Sequence, residues 1–240
     1  MTATLFTLPI GGFGATLTRR GPRDWNADHV AVRTTSYPGQ VIAIAIADGA
    51  GDTPIAAHCA QIAAETTAAA AAHTAMAEAG IHAARQAVRY FYDQDPDEQT
   101  AVATIVTAVI TDRGIDIAWV GDSVVFALDT DGVLHALTEP SHPLRPLPNN
   151  VTDGTIRSRF LWIADPGDQE VDLRLDVRRL LVTSDGLTHH ITPTEISDIL
   201  ITADSPQTAC QALADAAEDI DTYDNVTVAV IDLAGDTVSR

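Results

Sequence analysis

An α+β fold, with antiparallel sheets and helices packed outside them, is what this 240-residue sequence predicts. Three observations carry the prediction. Short apolar runs recur and are joined by hairpin signals such as Asp112-Arg113-Gly114 and Thr130-Asp131-Gly132. An alanine-rich stretch with helical spacing, residues 54–90, stands between the early runs and the later ones. The resulting order lacks the regular strand–helix alternation of a doubly wound parallel sheet.

Taken in order, residues 2–20 alternate weakly around Gly11, Gly12 and Gly14 and read as a strand and a turn. His29 to Thr34 and Val41 to Ala47 read as strands, the second strongly buried. Pro54 opens the alanine-rich stretch, and Gly80 is expected to separate two helices within it. Asp93 to Glu98 is a polar loop. Strands are expected at Ala103–Thr111, Ile115–Val120, Val124–Asp129 and Val133–Leu137. Residues 140–155, with four prolines, read as a surface loop. Glu170–Leu175 and Arg179–Thr183 are strand-like. Helices follow at Pro193–Ile201, capped by Thr192, and Pro206–Asp219, capped by Ser205. Val226–Leu233 is the last strand. No repeat or boundary interrupts the series, so residues 1–240 read as one domain.

Composition narrows the function. The formal net charge is −19, and all fourteen basic residues are arginine. That balance argues against nucleic acid and against anionic membrane surfaces. No run approaches 18 apolar residues, and the first twenty residues lack a signal-peptide pattern. Cys59 and Cys210 lie in alanine-rich helical stretches without a CxxC partner, so both read as small buried residues in a reducing compartment. A cytoplasmic protein is expected.

Four acidic clusters mark the ends of hydrophobic runs: Asn26-Ala27-Asp28, Asp48-Gly49-Ala50-Gly51-Asp52, Ser184-Asp185-Gly186 and Asp224-Asn225. Strand ends that converge can place distant carboxylates on one divalent cation. Hard cations such as Mg²⁺ and Mn²⁺ prefer oxygen ligands. Asp48, the Gly49 carbonyl, Asp185 and Asp224 form a plausible all-oxygen set. Two ions held there could acidify a water and orient phosphoryl oxygens. Each cluster alone reads as a turn; their order carries the argument.

That order resembles the metal-dependent protein phosphatases of the type 2C (PPM) family, in its bacterial form. The resemblance runs from about Arg23 to Leu233. Arg23-Asp24-Trp25-Asn26-Ala27-Asp28 is similar to the family's first motif, and Ala47-Asp48-Gly49-Ala50-Gly51 to its Ala-Asp-Gly-x-Gly. Ala103-Thr104-Ile105-Val106 falls where the family has a Gly-Thr-Thr-like strand. Val120-Gly121-Asp122-Ser123, Ser184-Asp185-Gly186-Leu187 and Asp224-Asn225-Val226-Thr227 complete the set.

The resemblance implies a central antiparallel β-sandwich flanked by helices on both sides, a four-layer α-β-β-α arrangement. It implies hydrolysis of Ser/Thr phosphate on a phosphoprotein by a metal-activated water, often in opposition to a Ser/Thr kinase. Two Mn²⁺ or Mg²⁺ ions would be bridged by Asp48. Gly49 would add its carbonyl to one, Asp185 and Asp224 would bind the other, Asp28 would support the surrounding shell, and Asp122 would help a third, weaker ion. Arg23 would grip the phosphate, a task that suits a bidentate guanidinium.

The sequence departs from the family at Ala27, where Glu or Gln is usual, and at Asp52-Thr53, which replaces Gly-His. The helical flap of many bacterial members is replaced by Pro140–Gly154. A catalytically weak relative that binds a phosphoprotein or regulatory partner is the alternative. His58 is expected on the following helix, and a role as substitute acid is the less favoured reading. Ser123 lacks a Gly-x-Ser-x-Gly elbow and reads as no nucleophile. His73 and His82 do not share a face at zinc spacing, and His189-His190 reads as a solvated turn. Trp25, Trp119 and Trp162 read as packing residues, with Trp25 alternatively lining the site mouth.

Overall fold

Alternation within one strand explains the layering of the molecule. In β4 (Val41–Gly49), Ile42, Ile44 and Ile46 face one side and Ala43, Ala45 and Ala47 the other, and all six are fully buried. The isoleucines enter the space between two sheets; each contributes roughly 1.5–3 kcal/mol by leaving water. The alanines meet the alanine-rich face of helix α1 (Pro54–Thr74), including Ala60, Ala63, Ala64, Ala68 and Ala71. Small side chains on both surfaces let the helix lie close to the sheet.

The structure is a computed structural model that describes residues 3–7, 12–36, 39–92, 102–139, 150–162, 175–218 and 223–233. The strands are β1 (Thr4–Thr7), β2 (Gly12–Arg19), β3 (Asp28–Thr35), β4, β5 (Ala103–Ile110), β6 (Gly114–Val120), β7 (Val124–Asp129), β8 (Leu134–Ala136), β9 (Arg157–Trp162), β10 (Val177–Thr183) and β11 (Val226–Leu233). They form two sheets, ordered β1-β2-β11-β10-β7-β8 and β3-β4-β5-β6-β9, with antiparallel pairing throughout. α1 and α2 (Ala77–Tyr92) cover the second sheet; α3 (Asp185–Thr188), α4 (Pro193–Thr202) and α5 (Pro206–Glu218) cover the first. Three apolar layers therefore separate four layers of secondary structure, as expected for the α-β-β-α sandwich.

The caps at α4 and α5 follow the sequence. Thr192 and Glu195 form a reciprocal capping box, and the Ser205 hydroxyl accepts from Thr208 N. Gly80 does not separate the first two helices, as its sequence position suggested. The break falls at Ala75, which adopts a left-handed φ of 55°, and Gly80 lies inside α2. A Cβ there would stand 2.6 Å from Thr67 O and 2.9 Å from Ala71 Cβ. The glycine thus permits close packing of α2 on α1.

Residues 2–20 hold two strands rather than one. The irregular stretch 140–155 is only partly a surface loop. Within its described part, Val151 and Gly154 are buried. Val151 N donates to Ala103 O, and Arg85 reaches the carbonyls of Val151 and Gly154 from α2. The expected loop at 93–98 and all but Leu175 of the expected strand 170–175 lie outside the described residues; Leu175 is not in a strand. Cys59 and Cys210 are buried free thiols, and burial pushes both up to about 12. Among the described residues, no helix is long and apolar enough to cross a membrane.

A buried cation ties the end of α4 to the first sheet. Arg179 on β10 is 2% exposed and bonds both oxygens of Asp232 on β11. Its Nη1 donates to Leu200 O and Ala203 O at the end of α4. Arg179→Ala should lower unfolding free energy by about 2–3 kcal/mol, because it leaves two carbonyls without their donor while Asp232, 31% exposed, regains water. Urea denaturation followed by far-UV circular dichroism measures the loss; an unchanged midpoint would count against this anchoring role.

Candidate active site

Pairing register brings the acidic clusters to one end of the sandwich. β2, β4, β6 and β10 finish there, and β3, β5, β7 and β11 begin there. Asp28 opens β3 and lies directly opposite Asp48 near the end of β4. Asp185 follows β10 and starts α3, Asp224 precedes β11, and Asp122 sits in the three-residue link from β6 to β7. Two carboxylates facing each other across an antiparallel pair are unfavourable unless something neutralises them.

The electrostatics reflect this crowding. Asp28 is 5% exposed, and burial pushes its carboxyl up to about 7, against hydrogen bonds from Ser184 and Thr227 that favour its charged form. Neighbouring Asp185 and Asp224 push it further in the same direction. Asp48 is raised well above the usual carboxylate range, by burial first and then by Asp28 and Asp185. Asp122 is raised by burial and by Asp185. Oδ1 of Asp122 and Oδ1 of Asp185 are buried without a hydrogen-bond partner among the described residues. Buried polar atoms without partners are rare and call for an explanation.

A cation would provide one. The donors are carboxylates and a main-chain carbonyl, an all-oxygen set suited to hard divalent ions. Among the described residues, no three metal-liganding side chains close on one point. Local contacts explain why. Asp224 Oδ1 is ion-paired with Arg23 Nη2 at 3.0 Å and accepts from Asn225 N at 2.8 Å, and Asp28 Oδ2 accepts from Ser184 Oγ at 2.8 Å. Repulsion between unneutralised carboxylates also opposes closure. The residues fit the ions chemically.

The glycines have steric reasons to be there. A Cβ on Gly49 would lie 2.3 Å from Ala56 O in the first turn of α1, and one on Gly186 would lie 1.9 Å from Asn225 O. Gly49 N also donates to Ala27 O at 2.9 Å. The chain can turn from β4 into α1 beside Asp48 only if this position has no side chain.

Arg23 is placed beside the cluster but is not extended alone. Its Nε donates to Tyr223 O at 2.7 Å, and its Nη2 pairs with Asp224. It thus serves as a counter-ion to a candidate metal ligand. Asn225, singled out in the sequence only as part of a dipeptide, organises the surrounding loop. Its Oδ1 accepts from Ala27 N, and its Nδ2 donates to Arg20 O and Trp25 O. Ser184 joins the two sheets at the site, donating to Asp28 and accepting from Thr227 N at 3.1 Å. Neither role leaves a signal in sequence spacing, because Ser184 and Asp28 are 156 positions apart and Asn225 and Ala27 are 198 apart.

Several other expectations change. Trp25 is 47% exposed and is not a packing residue, whereas Trp119 is buried and donates to Glu139 O. His58 hydrogen-bonds Tyr92 and packs edge-on against Phe91 and Tyr92. None of its described contacts is with the clustered aspartates. Ser123 is buried against Thr104 Oγ1. His189 and His190 lie in the expected turn; His189 is half exposed, but His190 is partly buried, with Nδ1 bonded to Gly186 O at 2.9 Å and its ring centroid 5.0 Å from that of Tyr223. Thr53, at the position of the missing histidine, caps α1 by accepting from Ala56 N. Ala27 is 2% exposed and points no polar group at the site.

The chain is similar in structure to a bacterial serine phosphatase, at 18% identity and a TM-score of 0.78, over 94% of this chain and 99% of that one. It is also similar to the PPM Ser-Thr phosphatase MsPP from Mycobacterium smegmatis in complex with cacodylate, at 25% identity and a TM-score of 0.71, over 95% and 100%. The catalytic domain of the serine threonine protein phosphatase PstP, in complex with two manganese ions, matches at 24% identity and a TM-score of 0.68, over 96% and 99%. No curated protein matches the chain in sequence. The sequence profile of protein phosphatase 2C matches residues 24–212, a span that contains Asp28, Asp48, Gly49, Asp122 and Asp185 but neither Arg23 nor Asp224. With most of its length matching that profile, the chain belongs to the protein phosphatase 2C family.

Proposed function

We propose that the chain is a metal-dependent phosphoprotein phosphatase acting on serine and threonine phosphate, folded as one catalytic domain over residues 1–240. The observation that carries this reading is the Asp28–Asp48 pair, set face to face with Asp185 and Asp224 close enough to raise its proton affinity. Asp48, the Gly49 carbonyl, Asp185 and Asp224 would hold two Mn²⁺ or Mg²⁺ ions, with Asp28 in support and Asp122 serving a third. Such ions supply Lewis-acid charge for the phosphoryl oxygens and an acidified water at neutral pH.

The chain's own residues do the rest. Arg23 offers a planar fork of five donors, of which Nε and one Nη2 hydrogen are engaged by Tyr223 O and Asp224. The remaining edge suits two phosphate oxygens. Ser184 holds the Asp28 carboxylate, and Asn225 holds the loop that carries Arg23. The position of Thr53 offers no imidazole to protonate the leaving alkoxide, and the imidazole that does reach the cluster is His189, with Nδ1 3.4 Å from Asp185 Oδ2. That arrangement, with Ala27 in place of a polar side chain, supports a second reading: a slow enzyme that chiefly binds a phosphoprotein partner. The net charge disfavours nucleic acid, the buried free thiols fit a reducing cytoplasm, and a Ser/Thr kinase is the natural opposing activity.

The test is phosphate release from phosphoserine and phosphothreonine peptides and from p-nitrophenyl phosphate, with Mn²⁺, Mg²⁺ or EDTA. Metal-dependent turnover is expected. Arg23→Ala should raise KM about 10–100-fold through loss of a charge-assisted contact, with a smaller effect on kcat. Folded, metal-supplied protein that hydrolyses none of these substrates would overturn the reading. Tight phosphopeptide binding without turnover would favour the second.

A further inference from the structure

Asp52 is not a site residue by any motif, yet it grips the loop that carries Arg23. Its two carboxylate oxygens accept from consecutive main-chain amides, Oδ2 from Asp24 N at 2.9 Å and Oδ1 from Trp25 N at 2.6 Å. These amides directly follow Arg23. The same loop is tied from the other side by Asn225, and Arg20 Nη1 closes it internally on Asp24 O at 3.1 Å. Arg20 and Arg23 also stand near enough to favour the Asp52 carboxylate, which sits below its usual range chiefly because of the two amides.

We propose that Asp52 is a positioning residue that holds Arg23 in its phosphate-binding orientation by clamping the Asp24 and Trp25 amides. This rests on the assignment of Arg23 to phosphate. An oxygen pair is required, since two N–H groups point at one carboxylate. A carboxamide in its place would offer one acceptor and turn an NH₂ toward the other amide. The position follows Gly51, whose φ of 107° aims the chain toward the loop, and precedes Thr53, which caps α1 independently. The two residues that replace Gly-His therefore have separate structural tasks.

The sign of the effect separates this role from simple electrostatics. An acidic side chain near a phosphate site repels the ligand, so its removal would lower KM if charge alone mattered. Loss of the clamp raises KM instead. The experiment is a double-mutant cycle in Mn²⁺ with p-nitrophenyl phosphate and a phosphothreonine peptide, using Asp52→Ala, Arg23→Ala and the double variant. Asp52→Ala and Asp52→Asn should each raise KM about 5–10-fold with kcat within about twofold of wild type, and Asp52→Glu should recover part of the loss. In the Arg23→Ala background, Asp52→Ala should add almost nothing. Calorimetric Mn²⁺ affinity should be unchanged in all Asp52 variants, which a general loosening of the fold would not allow. Multiplying effects, a fall in KM, or unchanged kinetics in Asp52→Ala would overturn the inference while leaving Arg23 in place. An Arg23→Ala enzyme with wild-type KM would overturn the Arg23 assignment and the inference with it.

Discussion

Asp48→Asn should remove Mn²⁺-dependent phosphatase activity, with kcat falling at least about 10³-fold, and should at the same time raise the melting temperature of the metal-free protein. The first effect follows from taking away the carboxylate proposed to hold both ions; about 4 kcal/mol of lost transition-state stabilisation is a thousandfold in rate. The second follows from the environment. Asp48 faces Asp28 across β3 and β4, and burial together with Asp28 and Asp185 disfavours its charge. A neutral amide of the same size relieves that repulsion. A gain of about 1–2 kcal/mol would appear as several degrees in a chain of this length. Steady-state assay and differential scanning calorimetry in EDTA check the pair of outcomes. Lost activity with lost stability would mean that Asp48 supports the fold rather than straining it.

The second large effect is on stability against pH. Asp28 ionises near 7 in the folded protein and near 3.8 when unfolded. Between those values the folded state binds more protons than the unfolded one, so this group's contribution declines as pH rises from about 4 to about 7 and then levels off. A shift of that size corresponds to roughly 4 kcal/mol at most, at about 1.4 kcal/mol per unit. Asp48, also raised, acts with the same sign. Melting curves in EDTA, taken as wild type minus Asp28→Asn, should show the decline. Saturating Mn²⁺ should abolish it, so the gain on adding metal should be larger at pH 8 than at pH 5. A wild-type difference that grows more favourable through this window would contradict a buried, proton-holding Asp28.

The sandwich and the gathering of Asp28, Asp48, Asp122, Asp185 and Asp224 were legible because both depend on local signals. Hydrophobic runs mark the strands, and each aspartate sits at one end of a run. The caps at Thr192 and Ser205 are local in the same way. The helix break was misread because Ala75 carries no residue-type signal for a left-handed φ, while Gly80 meets a neighbour visible only after α1 and α2 pack. Burial of Val151 was hidden for a similar reason: arginines on α2 draw a polar turn inward. The clamp at Asp52 spans 27 positions to Trp25, and the bond from Asn225 to Trp25 spans 200. Spacing within motifs cannot reveal such partnerships.

The pairing of β2 with β11 sets an order on synthesis. β11 lies between β2 and β10, so a nascent chain that has not yet delivered residues 226–233 holds its first sheet in two separate pieces. The second sheet, built wholly from residues 28–162, can already form on α1 and α2. In that intermediate, Asp28 and Asp48 face each other while Asp224 and Asn225 have yet to arrive. Asp28, Asp48, Asp122 and Asp185 therefore leave the ribosome before Asp224 and Asn225, and the acidic centre is complete only when the last strand is added.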